Sequence, residues 1–126
     1  MLLYKKGVII NKTGPLDPLL DALETLSEIH GDIVITSGND GQHAENSYHY
    51  HDRAIDIRSK GRTFSALRDL LADIWRRCEG KILVRIRVEL DVDPENHYWW
   101  NPGLPFTVPK AGQLWESRHV HIEVFS

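Results

Sequence analysis

Imidazole and carboxylate side chains are concentrated in two short segments of the 126-residue sequence. Residues 43–56 and 116–123 hold five of the seven histidines, together with several Asp and Glu residues. Zinc takes histidine and carboxylate ligands where a protein offers no thiolate cluster, and this sequence has one cysteine. The two segments therefore indicate a zinc site.

A catalytic zinc needs three protein ligands and one open position for water. His49, Asp56 and a histidine of the last strand, His119 or His121, form a natural set. A single His-x-His pair is weak support for a metal, since most lone histidines are solvated or packed side chains. Two clusters, each at the end of a predicted strand, favour the metal.

Two amphipathic helices are predicted around these segments. Apolar residues recur at helical spacing over residues 18–30, with Asp17 as N-cap, a proline at the first helical position and Gly31 as the stop. Thr63 is the candidate N-cap of the second helix, whose apolar stripe ends before Gly80. Both helices therefore present one apolar face to a core.

Strands are predicted at residues 32–36, 53–58, 81–90 and 119–125, with an edge strand or ordered arm at 1–10. Residues 91–113 are expected to be irregular. In the last strand Val120, Ile122 and Val124 share one face, so His119, His121 and Glu123 share the other. This order predicts one α+β domain over residues 1–126, with an antiparallel sheet and two main helices packed on one side.

Charge and hydropathy exclude several partners. A net charge of −3 argues against binding nucleic acid, and no apolar run reaches the length of a membrane span. The apolar run within the first ten residues is too short for the hydrophobic region of a signal peptide. We expect a monomer that works in the cytoplasm, or a phage-encoded protein such as an endolysin that is released by a route its sequence does not encode.

The first cluster resembles the zinc region shared by D-alanyl-D-alanine peptidases of the M15 type and hedgehog signalling domains. The peptidase pattern SxHxxGxAxD is matched at four positions, and Asp52 stands at its glycine; the matching residues are Ser47, His49, Ala54 and Asp56. Residues 38–50 and 53–57 are closer still to the hedgehog version. The second half of the resemblance is an acidic residue shortly before the terminal His-x-His. With the intervening helix and strand, the resemblance spans roughly Ile33 to Val124, about three quarters of the chain.

The resemblance implies a hedgehog/peptidase-like fold with zinc held by His49, Asp56 and His121. Glu116 is then the general base toward the zinc-bound water, and His119 or His43 stabilises the oxyanion. An ExxH arrangement of base and ligand would instead make His119 the third ligand. M15 peptidases often carry a carboxylate-binding arginine after the Ser-Gly of the preceding loop, where this chain has Asn39 and Asp40. Arg53 and Arg118 are candidates to replace it.

The function implied is a zinc metallopeptidase that hydrolyses an amide bond in peptidoglycan stem peptides, as a D-Ala-D-Ala carboxypeptidase or an L-Ala-D-Glu endopeptidase. The rival is a hedgehog-like zinc-containing binding module without turnover, and a third possibility is a structural domain that has lost its metal. Glu116 favours the enzyme, because a binding module has no need of a base.

The remaining polar and aromatic features have two interpretations each. Arg85 and Arg87 share a strand face that either binds a carboxylate or is solvated. Residues 91–96 resemble a calcium loop in their acidic alternation, but without the EF-hand glycine and terminal Glu they are read as an ordinary loop. The aromatic residues 98–100 line a groove or cover the core, and Cys78 is expected to be a small packing residue.

Overall fold

The computed structural model describes residues 1–40, 52–59, 61–78, 84–90, 93–100 and 117–124. This part of the chain contains two helices and a sheet of six strands, which confirms the α+β class. In chain order the elements are β1 (Leu2–Tyr4), α1 (Asp17–His30), β2 (Ile33–Ser37), β3 (Ala54–Ile57), α2 (Phe64–Cys78), β4 (Val84–Leu90), β5 (Asp93–Trp100) and β6 (Ser117–Val124).

The sheet is mixed, with strand order β1-β2-β3-β6-β4-β5. β1 pairs with β2 in parallel, and every other neighbouring pair is antiparallel. The prediction of an antiparallel sheet is therefore wrong at the β1 edge. The reason is that α1 lies between β1 and β2 in the chain, and a helical crossover returns the chain in the same direction.

Helix α1 ends where predicted and begins one residue earlier than predicted. Asp17 is its first residue, and Leu16 occupies the N-cap position without a side-chain hydrogen bond, so the prediction of Asp17 as the cap is wrong. At the other end Gly31, with φ of 83°, ends the helix as expected. The Arg62 guanidinium donates to the carbonyl oxygens of His30 and Asp32 and covers this end.

Helix α2 begins at the predicted cap, where the amide of Ala66 donates to Oγ1 of Thr63 at 3.2 Å. The two helices are joined by a polar contact in which His30 Nε2 lies 2.6 Å from Asp73 Oδ2, and Asp73 also pairs with Arg76. Burial acts to raise the pKa of Asp73, but the hydrogen bonds from His30 and Arg76 outweigh it and hold that pKa below its ordinary value.

One apolar core lies between the helices and the sheet. Every second residue of the strands enters this core, because strand side chains point alternately to the two faces of the sheet. Both helices therefore pack against one sheet face, as predicted. The largest fully buried side chains are Leu16, Leu19, Leu23, Ile33, Ile35, Ile55, Ile57, Leu67, Leu70, Leu71, Ile74 and Ile86. Cys78 is buried in the same core, in keeping with a packing role. Among the described residues, no helix combines the length and apolar character needed to cross a membrane.

β5 occupies part of the segment that was expected to be irregular. It runs antiparallel to β4 at the edge of the sheet, with Tyr98 opposite Val88 and Trp99 opposite Arg87. A proline near its beginning is compatible with an edge strand, because an edge leaves backbone donors unpaired on one side. The prediction of an irregular segment is therefore wrong for Asp93–Trp100, and residues 101–113 lie outside the described part.

Candidate metal centre

The pairing of β3 with β6 brings together two residues from the two sequence clusters. Asp56 and His121 are register partners in this antiparallel pair, although 65 residues separate them in the chain. Nδ1 of His121 lies 3.0 Å from Oδ1 of Asp56. Asp56 is 5% exposed and His121 2% exposed, so both polar side chains are almost fully removed from solvent.

A second carboxylate contacts the other nitrogen of the same imidazole. Nε2 of His121 lies 2.8 Å from Oε1 of Glu123, whose residue is 7% exposed. Sequence reasoning placed Glu123 on the correct face but gave it no role. The signal was present, because residues i and i+2 of a strand stand side by side on one face.

Alternation along β6 explains why these polar groups lie together. Val120, Ile122 and Val124 belong to the apolar core, as predicted, and this leaves His121 and Glu123 on the opposite face. In β3, Ile55 and Ile57 point into the core, so Asp56 lies on the same side as His121. The apolar pattern therefore fixes which face of the sheet carries the polar group.

Asp52, at the position of the glycine in the peptidase pattern, adopts the backbone conformation for which glycine is suited. Its φ is 54°, and it has the only positive φ of the described non-glycine residues. Asp tolerates this left-handed region better than most residues. Its Oδ1 accepts a hydrogen bond from Nδ2 of Asn39 at 3.3 Å. The departure from the pattern is thus accommodated locally, just before β3 begins.

The loop after β2 forms hydrogen bonds with the N-terminal arm (residues 5–10). Oδ1 of Asp40 accepts hydrogen bonds from the amides of Ile9 at 2.9 Å and Gly38 at 2.8 Å. The amide of Asn39 donates to the carbonyl of Ile9 at 2.6 Å. A Cβ on Gly38 would lie 2.3 Å from that carbonyl oxygen, so only glycine fits here. Asp40, in the part of the loop where M15 peptidases place an arginine, has a structural role.

The described residues include part of the predicted site. Asp56 and His121 are brought together, whereas His43, His49 and Glu116 lie outside the described part. His119 lies in β6 opposite Glu89. In β4, the register places Arg87 opposite His121 and Arg85 opposite Glu123. The two arginines that were predicted to share a strand face are therefore register partners of two polar residues of β6.

Donor geometry limits what the described residues can hold by themselves. Within the described part, no group of three or more His, Cys, Asp or Glu side chains is arranged to hold a metal ion. The reason is visible at His121, because Asp56 and Glu123 approach opposite ring nitrogens and do not converge on one point. Two donors of a tetrahedral zinc, each about 2.0–2.1 Å from the metal, lie roughly 3.3 Å apart. The 3.0 Å separation of Asp56 and His121 is an ordinary hydrogen-bond distance and is also close to that value, so it is compatible with two ligands of one zinc.

Comparison of the chain with protein families, with curated protein sequences and with solved structures found no match in any of the three. The function is therefore inferred from the residues and their geometry.

Proposed function

We propose that this protein is a zinc metallopeptidase, similar to the M15 type, that hydrolyses an amide bond in peptidoglycan stem peptides. The observation that carries the proposal is the buried contact between Asp56 and His121. These two residues come from the two clusters that resemble the M15 pattern. A carboxylate and an imidazole buried side by side on neighbouring strands cost free energy to desolvate, which favours a functional reason for keeping both.

The donor set suits zinc. His49, Asp56 and His121 would hold it as two imidazoles and one carboxylate, a combination found at catalytic sites with an open fourth position. No thiolate competes, since Cys78 is buried in the core. When bound, zinc supplies a Lewis acid that lowers the pKa of a water molecule to about 7.

The remaining chemistry belongs to Glu116, His119 and His43. Glu116 directly precedes Ser117, the first residue of β6, so a short stretch of chain carries both the base and the histidines. Its carboxylate takes a proton from the attacking water and delivers it to the leaving amine. His119 or His43 donates a hydrogen bond to the oxyanion. The mechanism needs no other charged group for the bond-breaking step.

Zinc content of purified variants tests the ligand set. We expect about one zinc per wild-type chain and its loss in Asp56→Asn and His121→Ala, because the first removes the charge of a ligand and the second removes the ligand itself. His30→Gln is the matched control, since His30 contacts Asp73 between the helices and should leave zinc content unchanged. Retention of zinc in His121→Ala with loss in His119→Ala would transfer the ligand role to His119.

Hydrolysis of muropeptides tests the base. Glu116→Gln should lower the rate by about 10²–10⁴-fold while zinc content stays near that of the wild type. Glu28→Gln removes the same charge from an exposed position on α1 and should have the wild-type rate. A zinc-loaded wild type that cleaves none of D-Ala-D-Ala, L-Ala-D-Glu and cross-bridge substrates would refute the peptidase and favour a hedgehog-like binding module.

A further inference from the structure

Glu123 is a buried acidic residue that the proposed mechanism does not use. It stands two residues after His121 on the same face of β6, and its Oε1 lies 2.8 Å from Nε2 of that imidazole. Glu123 is 7% exposed, so its carboxylate is largely removed from water. Burying a charge costs free energy unless a specific partner compensates it, and the imidazole is such a partner.

We propose that Glu123 is the positioning residue of a zinc ligand: it accepts the Nε2 proton of His121 and so directs the unprotonated Nδ1 toward Asp56. This inference rests on the proposed function, because it concerns the metal ligand named there. It adds a residue outside the peptidase pattern to the site, and it states which ring nitrogen of His121 binds the metal.

The chemistry of imidazole requires such a choice. A neutral histidine carries one ring proton, and a metal binds only the nitrogen that lacks it. Both ring nitrogens face a carboxylate, Nδ1 that of Asp56 and Nε2 that of Glu123. When the one ring proton is on Nε2, where Glu123 accepts it, the lone pair available to a metal is on Nδ1. That nitrogen is the one 3.0 Å from Oδ1 of Asp56, the other described ligand. A carboxylate that accepts the proton of the other ring nitrogen also orients the ring as a metal ligand.

The strand pairing makes this arrangement rigid. Glu123 is the register partner of Ala54 in β3, and His121 is the partner of Asp56 two residues farther along β3. Ile122 between them is fully buried in the core. The backbone therefore fixes the spacing of the three residues from which these side chains project.

The test compares Glu123→Gln with the wild type and with Glu28→Gln, which removes the same charge from an exposed helix position. Zinc affinity is measured by competition with a chromophoric chelator. Glu123→Gln keeps the volume of the side chain but loses its charge and its preference for an Nε2 proton. We expect its zinc Kd to rise by about 10–100-fold, while Glu28→Gln matches the wild type.

Two further measurements separate positioning from a purely structural role. Thermal unfolding of the zinc-free proteins reports stability alone, and a structural role would lower it while leaving the zinc Kd unchanged. Long-range ¹H–¹⁵N spectra of the zinc-loaded wild type report the tautomer without any variant, and we expect His121 to carry its proton on Nε2. If Glu123→Gln does not fold, this spectrum still decides which ring nitrogen of His121 binds the metal.

An unchanged zinc Kd in folded Glu123→Gln, or a His121 proton on Nδ1 in the zinc-loaded wild type, overturns the inference. If Asp56→Asn and His121→Ala still abolish zinc binding in that case, the proposed metal site stands without Glu123. A wild type that takes up no zinc overturns both the inference and the proposed function.

Discussion

The conformation of Asp52 leads to a prediction that does not depend on zinc. Asp52 has φ of 54° at the position where the peptidase pattern has glycine, and its Oδ1 accepts a 3.3 Å hydrogen bond from Asn39. Two substitutions separate these features. Asp52→Gly removes the side chain and any strain, and Asp52→Ala removes the hydrogen bond but keeps a Cβ in the left-handed region.

The expected magnitudes follow from this geometry. The hydrogen bond to Asn39 is half-buried and slightly longer than the usual range, so its loss costs about 0.5–1 kcal/mol in either variant. A Cβ in the left-handed region costs roughly 1–2 kcal/mol, less for Asp than for Ala. Glycine avoids that cost but adds about 0.5–1 kcal/mol through greater freedom of the unfolded chain. Asp52→Gly should therefore remain within about 1 kcal/mol of the wild type, and Asp52→Ala should be the less stable variant by about 1 kcal/mol.

Urea denaturation in the presence of a chelator measures these differences, because zinc binding would otherwise add its own stabilisation. Asn39→Ala supplies the matched control: it should destabilise the wild type by the value of the hydrogen bond and have little further effect on Asp52→Gly. Equal free energies of unfolding for Asp52→Ala and Asp52→Gly would refute the assignment of a left-handed backbone at this position.

Three other predictions concern the loop, the helix pair and the substrate. Gly38→Ala should destabilise the fold by about 1–3 kcal/mol in urea denaturation, because its Cβ would lie 2.3 Å from a carbonyl oxygen of the N-terminal arm; Gly14→Ala meets only a flexible side chain and should cost less. The pKa of Asp73 lies below its ordinary value of 3.8, so the ionised carboxylate stabilises the fold above pH 3.8. This stabilisation is lost as pH falls through the pKa that Asp73 has in the folded state. Thermal unfolding between about pH 5 and pH 2 should therefore show a smaller loss of stability in Asp73→Asn than in the wild type. Arg87→Gln, next to His121 in the sheet register, should raise KM for muropeptides by about tenfold with little change in kcat, and the exposed Arg77→Gln should not.

Local sequence patterns predicted the elements well where one face of each element is buried. The apolar spacing of α1 and α2 and the alternation in β6 each specify which side chains enter the core, and the structure agrees. The same alternation placed His121 and Glu123 on the other face before any pairing was known. A period of two or 3.6 residues is sufficient for this, because it depends only on local geometry.

Strand pairing was not accessible from such patterns. The contact between Asp56 and His121 depends on β3 and β6 being neighbours, and nothing in either strand names its partner. The parallel β1 edge depends on how α1 returns the chain. The β5 strand contains a proline, which is typical of irregular segments but is tolerated at the edge of a sheet. The contact of Glu123 with Nε2 of His121 is inaccessible for a related reason, since no sequence pattern shows which ring nitrogen a neighbouring carboxylate faces.

The position of β6 in the sheet explains how one strand can complete a site from distant segments. β6 lies between β3 and β4, so His121 has a register partner on each side, Asp56 in β3 and Arg87 in β4. An edge strand would give it only one. Because the side-chain period of a strand is two, a slip of one residue between β3 and β6 would move Asp56 to the core face and Ile55 to the polar face. The cost of burying that carboxylate among apolar side chains opposes such a slip, so the core that stabilises the fold also holds the predicted ligands in register.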